Sequence, residues 1–109
     1  MTVELAIRPD AQEDLRNLPS TAVKLEAAKY LLRLEQRPDL GKRLENLPAV
    51  GDLSDCRKIF IDGRRHRIVY RLLPNEKKPT QIDVIAIGPR ALRNVYVEAV
   101  KRLGRTPSS

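Results

Sequence analysis

Residues 56–71 read CRKIFIDGRRHRIVYR, and this stretch predicts the β-hairpin around which the rest of the chain is arranged. Asp62-Gly63 lies between two runs of apolar and charged residues, which is among the strongest short-range signals for a hairpin turn. Asp62 is the only acidic residue of the stretch, whereas its basic residues are Arg57, Lys58, Arg64, Arg65, Arg67 and Arg71. A hairpin with so much charge of one sign is suited to binding an anion.

The alternation of residue types predicts which hairpin side chains share a face. A two-residue turn would place one apolar set on the side covered by helices: Ile59, Ile61, Ile68, Tyr70 and Leu72. The opposite face would carry Lys58, Phe60, Arg65, Arg67, Val69 and Arg71. In this register Lys58 lies opposite Arg67, and opposed like charges are destabilising. The pattern fits a phosphate-binding surface, or a solvated sheet face whose cations block edge pairing.

Charge is distributed unevenly along the 109 residues. Residues 1–55 carry 8 Lys/Arg and 10 Asp/Glu, a net charge of −2, whereas residues 56–109 carry 13 and 4, a net charge of +9. These halves give the +7 of the whole chain. A half this basic indicates phosphate-rich partners, with nucleic acid first and an anionic membrane surface second.

The composition also bounds the compartment and the kinds of site. No stretch approaches the roughly 18 apolar residues that span a bilayer, and the first ten residues lack the pattern of a signal peptide. Cys56 is the single cysteine, so neither an internal disulfide nor a cysteine-based metal site is expected. We therefore expect a cytoplasmic protein that has no membrane partner.

Patterns in the first half predict a strand and two helices. Residues 2–8 alternate as a half-buried strand that Pro9 ends, and Asp10 is in position to cap a short first helix. Ser20 or Thr21 caps a longer second helix that runs to about Gln36, with apolar residues at the spacing of a core-facing side. Residues 38–54 are rich in proline, glycine and polar residues, and we interpret them as a loop with one helical turn.

The second half predicts the remainder of an α+β fold. After the hairpin, residues 81–87 form an apolar strand that Gly88-Pro89 breaks, and a last amphipathic helix covers residues 90–103. The order is then β-α-α-β-β-β-α in one domain spanning 1–109, with 104–109 as a frayed tail. We expect a small antiparallel sheet, with the helices covering one face and the other face partly open.

Four segments together resemble the RelE branch of the RelE/ParE toxins: DCRKI, RHRIVYR, IDVIAIG and GPRALRNVYVEAVKRLG. The likeness is close over residues 55–104, and the order of elements in residues 1–54 is that of the family. The resemblance implies a RelE-like fold and the toxin of a type II toxin–antitoxin pair. It also implies a ribosome-dependent endoribonuclease that cuts mRNA in the ribosomal A site and needs no metal or other cofactor.

The chemistry that the resemblance implies uses the RNA itself as nucleophile. The 2′-OH attacks the adjacent phosphorus and leaves a 2′,3′-cyclic phosphate and a 5′-OH. The implied partners are mRNA, the 70S ribosome with its 16S rRNA, and a RelB-like antitoxin.

The resemblance also carries residue roles to this chain. The family's first catalytic lysine falls on Lys58, its phosphate-binding arginine on Arg67, the arginine after the strand-ending glycine on Arg90, and the helix tyrosine on Tyr96. The residues that we expect to contact RNA are Arg57, Phe60, Arg64, Arg65, Arg71 and Arg93. One departure stands out, because the family's second lysine falls on Phe60. Either Arg65 replaces the missing charge, or Phe60 stacks on a base.

These residue types suit the implied reaction. Arg67 offers a planar fork of donors to phosphate. We assign Arg90 to charge stabilisation at the phosphate or leaving oxygen, although the family's arginine at this position is often assigned as the acid. Lys58 can act as a base only if neighbouring cations depress its pKa, and otherwise adds charge stabilisation. Tyr96 lies on the apolar stripe of the last helix, which alone indicates core, whereas the resemblance favours a role in orienting RNA.

The remaining candidates and functions are weaker. Alternation places His66 with the apolar set, which favours a structural role, and Cys56 has no histidine–aspartate pair to make it a nucleophile. Two other functions stay open: a ParE-like poison of DNA gyrase, and a non-catalytic RNA- or ribosome-binding module. The four carried-over residues favour the ribonuclease over the gyrase poison, while Phe60 keeps the binding module open.

Overall fold

The computed structural model describes residues 3–91 and 94–105. Its elements are β1 (Glu4–Ile7), α1 (Pro9–Arg16), α2 (Thr21–Leu34), β2 (Lys42–Arg43), β3 (Asn46–Leu47), β4 (Gly51–Asp52), β5 (Cys56–Ile61), β6 (His66–Leu73), β7 (Gln81–Pro89) and α3 (Asn94–Arg102). The predicted α+β order is confirmed, with three two-residue strands added before the hairpin. None of the described helices is both long enough and apolar enough to cross a membrane.

A five-stranded sheet in the order β1-β7-β6-β5-β2 forms the centre of the molecule, and β3 pairs with β4 separately. The predicted antiparallel pairing of the last three long strands is confirmed. β1 instead lies parallel to β7, a pairing that the residue pattern did not predict. Parallel neighbours need a long crossover connection, which the intervening helices and hairpin supply.

Helices α1 and α2 pack on one face of the sheet. Val23, Ala27 and Leu31 of α2 are buried in the same cluster as Ile59 and Ile68 of the hairpin. Burying a valine, leucine or isoleucine side chain contributes about 1.5–3 kcal/mol, so this layer supplies much of the stability.

Of the predicted caps of α1 and α2, one is confirmed. The predicted cap of α2 is confirmed, because the Ser20 Oγ accepts a hydrogen bond from the backbone N–H of Val23 at 3.2 Å. Helix α1 instead begins at Pro9, and no side chain caps it, so the predicted Asp10 cap is wrong. Proline suits the first helical position, since its missing N–H would have no intrahelical acceptor there.

Helix α3 covers the opposite face, which corrects the expectation that the helices lie on one side. Val95, Ala99 and Val100 of α3 are buried in a second cluster with Val69 and Ile85. A β-bulge explains part of this packing: Val69 pairs with Ala86 while Tyr70 pairs with Val84, and the extra residue, Ile85, faces α3. An amphipathic pattern shows which side of a helix is buried, but not which face of a sheet buries it.

The segment 38–54 contains strands β2, β3 and β4 and no helical turn, which corrects the expected loop. Tyr70 fixes its start, because its hydroxyl donates to the Pro38 carbonyl and accepts from the Gly41 N–H, both at 2.8 Å. A Cβ on Gly41 would lie 2.7 Å from the Tyr70 ring, so glycine is required there. These contacts hold β2 against β5 and place Lys42 opposite Lys58.

The chain leaves α3 through a glycine cap, as predicted. Gly104 has a φ of +71°, and the Arg105 N–H bonds to the Val100 carbonyl at 3.0 Å, which is a Schellman arrangement. Arg105, placed in a frayed tail from the sequence, forms two 2.7 Å bonds to Asp55. Residues 92–93, at the predicted start of this helix, and 106–109 lie outside the described residues.

Candidate active site

The register of the β5–β6 hairpin differs from the predicted one by two residues. Arg67 pairs with Phe60, and Lys58 pairs with Val69, so the expected Lys58–Arg67 opposition is wrong. The connection has four residues, 62–65, because Arg64 as well as Asp62 and Gly63 adopts a positive φ. A shift of two residues leaves every side chain on its predicted face, since alternation has a period of two.

Arg67 is the most buried cation of the candidate site, with 7% of its surface exposed. Its Cζ lies 4.6 Å from the centre of the Phe60 ring and 5.8 Å from that of Tyr96. Its Nε and Nη1 have no hydrogen-bond acceptor among the described residues. Each buried donor without an acceptor costs about 1–3 kcal/mol, which an incoming phosphate oxygen would recover.

Lys58 lies half-buried beside this arginine. Partial burial lowers its pKa, and the charges of Arg67, Lys42 and Arg90 lower it further, while Glu45 opposes them. The residue that lies opposite Lys58 on the neighbouring strand is Lys42, so these two lysines form a cross-strand pair of like charges. The residue pattern did not predict Lys42 at this site, because its place depends on the two-residue strand β2.

Phe60 lies at the centre of the cationic side chains. Besides Arg67, its ring centre is approached by Arg64 Cζ at 5.2 Å, Lys58 Nζ at 5.3 Å and Lys42 Nζ at 5.8 Å. We call this group the Phe60 cluster: Lys42, Lys58, Phe60, Arg64 and Arg67. Cations within about 6 Å of a ring centre are attracted by its quadrupole, which offsets part of their mutual repulsion.

Arg90 and Arg65 lie at the end of the hairpin. The Arg90 N–H donates to the Arg65 carbonyl at 2.8 Å, which ties the end of β7 to the hairpin connection. An open cavity of about 430 Å³ at this end is lined by residues 63–66 and 89–91. Arg65 lies 3.8 Å from Asp62, and 79% of its side chain is exposed. The cations beside Phe60, in addition to Lys58 and Arg67, are Lys42 and Arg64. Burial lowers the pKa of both Lys58 and Arg67, and the charge of the exposed Arg90 lowers both further.

Two of the predicted RNA-binding arginines are engaged within the fold. Arg57 pairs with Glu76 at 3.0 Å and donates to the Gly41 carbonyl at 2.6 Å. Arg71 donates to Asp83 at 2.8 Å. Their partners are distant in sequence, so spacing gave no indication of these ion pairs. Arg93 lies outside the described residues.

Tyr96 is both a core residue and a neighbour of the candidate site. Its side chain is buried in the second hydrophobic cluster, and the same ring contacts the Arg67 guanidinium. The two interpretations from sequence are therefore compatible, because the packing of α3 holds the ring against the arginine. Helix α3 thus contributes one wall of the environment of Arg67.

His66 and Cys56 occupy structural positions. The Nδ1 of His66 lies 3.0 Å from the Asp62 carboxylate, across the hairpin connection. Cys56 is fully buried, and burial raises its thiol pKa to about 12, so the thiol stays protonated. The described residues gather no group of three or more histidine, cysteine, aspartate or glutamate side chains suited to holding a metal ion.

Comparison with known proteins identifies the family. Residues 5–92 match the family model described as the ParE toxin of type II toxin–antitoxin system, parDE. The mRNA interferase toxin RelE of Escherichia coli strain K12 is 33% identical over 94 residues, which cover 85% of this chain and 88% of that protein.

Solved structures agree with this match. An arginine-to-alanine double mutant of E. coli toxin RelE in the free state has a TM-score of 0.66 and 28% identity, over 94% of this chain and 99% of that one. The same mutant in complex with an antitoxin RelBc peptide has a TM-score of 0.64 and 26% identity, over 94% and 98% of the two chains. The chain belongs to the RelE/ParE superfamily of type II toxin–antitoxin toxins, within its RelE branch.

Proposed function

We propose that this toxin is a ribosome-dependent endoribonuclease that cleaves mRNA in the ribosomal A site. The observation that carries the proposal is Arg67, a buried guanidinium with donors available to a phosphate, next to a lysine of lowered pKa. The similarity to an mRNA interferase toxin over most of both chains supports the same reaction class.

The proposed reaction begins at the ribose. The uncharged amine of Lys58 takes the proton of the 2′-OH, and the 2′-oxygen attacks the adjacent phosphorus. Arg67 donates to the oxygens of the pentacovalent phosphorane, where negative charge develops. The bond to the 5′-oxygen then breaks, leaving a 2′,3′-cyclic phosphate, and the leaving oxygen takes a proton from water while Arg90 stabilises its charge.

The remaining parts of the site would position the RNA. Tyr96 would keep Arg67 in place, because its buried ring packs against the guanidinium. Arg64, Arg65 and Phe60 would contact the RNA beside the scissile phosphate. Because cations supply the electrostatic stabilisation in this scheme, we propose that cleavage needs no metal ion. Undiminished cleavage in the presence of 1,10-phenanthroline, which chelates transition metals and leaves the magnesium that ribosomes need, is the expected result.

The partners follow from the same proposal. The toxin would act on mRNA within the 70S ribosome and contact 16S rRNA, in the cytoplasm. A RelB-like antitoxin would restrain it, as supported by the similarity to a RelE bound to an antitoxin peptide. The basic half of the chain offers acidic antitoxin residues complementary charge.

The test is addition of purified protein to programmed ribosomes, followed by mapping of mRNA 5′ ends. The wild type should cut within the A-site codon, and Arg67→Ala combined with Arg90→Ala should abolish cutting. Arg16→Ala, which removes an exposed arginine from α1, should cut as the wild type does. No cutting by the wild type, or undiminished cutting by the double variant, would overturn the proposal.

A gyrase supercoiling assay run in parallel tests the second candidate, which the match to the ParE toxin model favours. Inhibition of supercoiling without mRNA cleavage would support the gyrase poison. Ribosome binding with neither effect would support the binding module.

A further inference from the structure

Phe60 differs chemically from the lysine that the family resemblance places at its position, yet four cations surround it. The nearest is Arg67, its cross-strand neighbour, with Cζ 4.6 Å from the ring centre. Lys42, Lys58 and Arg64 approach the same ring within 5.2 to 5.8 Å. All four cations of the cluster therefore lie within 5.8 Å of the centre of one ring.

Two aromatic rings lie beside the Arg67 guanidinium. Its Nε and Nη1 have no acceptor in the part of the chain that the structure describes, so no hydrogen bond from these atoms fixes the plane. The Phe60 and Tyr96 rings lie close to its Cζ, and the residue is almost fully buried. Arginine stacks favourably on aromatic faces while its edge donors stay available.

We propose that Phe60 is a positioning residue that holds the Arg67 guanidinium with its donors directed at the scissile phosphate. The ring attracts the surrounding cations and so offsets part of their mutual repulsion, which the charge of a lysine at this position would instead increase. Its quadrupole is engaged by side chains of the protein, which distinguishes this role from stacking on an RNA base. The part of the inference that concerns cleavage rests on the proposed function, whereas the part that concerns Arg67 does not.

Three substitutions separate the possibilities. Phe60→Tyr keeps the ring, Phe60→Leu keeps an apolar side chain without a ring, and Phe60→Lys restores the charge at that position. If the ring positions Arg67, only Phe60→Tyr should preserve the geometry. If Phe60 is merely a lost lysine, Phe60→Lys should match or exceed the wild type. Thermal unfolding of each variant confirms that it is folded.

The first measurement uses the free protein and needs no catalysis. We would follow the Nε–H signal of Arg67 by NMR and measure its exchange with water. Exchange should be slow in the wild type and in Phe60→Tyr, and faster in Phe60→Leu and Phe60→Lys, because the guanidinium then moves. Equal exchange in the wild type and Phe60→Leu would overturn the positioning role.

The second measurement is mRNA cleavage on programmed ribosomes. Small misplacements of a catalytic group are costly, so kcat should fall about tenfold in Phe60→Leu and Phe60→Lys, with KM little changed. Phe60→Tyr should keep the kcat of the wild type. A Phe60→Lys variant that cleaves as fast as the wild type would overturn the inference. If the exchange rates follow the expected order while the wild type does not cleave, the positioning of Arg67 is supported and the proposed function fails.

Discussion

Arg67 keeps two guanidinium nitrogens buried without an acceptor among the described residues, whereas the partly buried Arg57 is paired with Glu76. Replacing Arg67 by Met should therefore raise the free energy of unfolding by about 1–2 kcal/mol, because a costly buried group gives way to an apolar one of similar length. The same variant should lose cleavage about a hundredfold or more, since the phosphorane loses its donors.

Arg57→Met is the matched control for this prediction. It should lower stability by about 1–3 kcal/mol, because Glu76 and the Gly41 carbonyl lose a charged donor. Urea denaturation of both variants measures the difference. A loss of stability in Arg67→Met equal to that in Arg57→Met would show that Arg67 is satisfied within the fold.

The lowered pKa of Lys58 sets the pH dependence of the proposed reaction. Its uncharged amine forms at a lower pH than in a free lysine, so the single-turnover rate should rise with pH through this depressed pKa. Lys42→Ala removes one of the cations that lower the pKa, and should move the rise to higher pH. Glu45→Gln removes the opposing carboxylate, and should move it to lower pH. Unmoved midpoints in both variants would exclude Lys58 as the base.

At the scale of single residues, the sequence predicted the cationic face but not which of its side chains form ion pairs within the fold. Lys58, Phe60 and Arg67 lie on the face that alternation assigns to them, because a side-chain period of two survives an even shift of register. Alternation cannot show that Asp83 holds Arg71. Nor can it place Lys42, whose position depends on contacts made by a tyrosine 28 residues further along the chain.

At the level of elements, β2 carries Lys42 into the site only because Gly41 lets the chain approach Tyr70. Gly41→Ala should destabilise the protein by about 2–4 kcal/mol, since its Cβ would lie within 2.8 Å of Tyr70 and of the Lys58 carbonyl. It should also slow cleavage by displacing Lys42. Thermal unfolding and the ribosome assay measure the two effects.

Gly63→Ala is the control for this prediction. Gly63 has a φ of +56° and open space around its Cβ position, so only backbone strain of about 1 kcal/mol is expected. Gly41→Ala should be clearly the more damaging of the two. Equal losses of stability in the two variants would show that the close approach of β2 to Tyr70 does not require glycine at position 41.

Sequence patterns predicted most helices and strands but not how these elements pair and pack. The hairpin, the Ser20 cap and the Gly104 cap depend on local residue chemistry, which a sequence displays directly. The four-residue connection escaped prediction because Arg64 adopts a positive φ, a conformation for which arginine carries no sequence signal. The parallel β1–β7 pair and the side on which α3 packs depend on tertiary contacts.

For the whole molecule, the net charge of +7 and the cationic cluster predict stabilisation by anions. Phosphate should raise the Tm more than chloride at equal ionic strength, because an ion that binds only the folded state stabilises it by mass action. The extra gain should disappear in Arg67→Met and persist in Arg16→Ala, which lies on α1 away from the cluster. Equal gains in both variants would indicate general screening instead of a phosphate site.

The most direct measurement uses mRNA with a single 2′-deoxyribose at the nucleotide that precedes the cleaved bond in the A-site codon. In the proposed chemistry the 2′-OH is the nucleophile, so the deoxy mRNA should remain uncut in the ribosomal A site. The matching all-ribose mRNA should give a 5′ product that ends in a 2′,3′-cyclic phosphate. Cleavage of the deoxy mRNA at the rate of the all-ribose mRNA would contradict the mechanism.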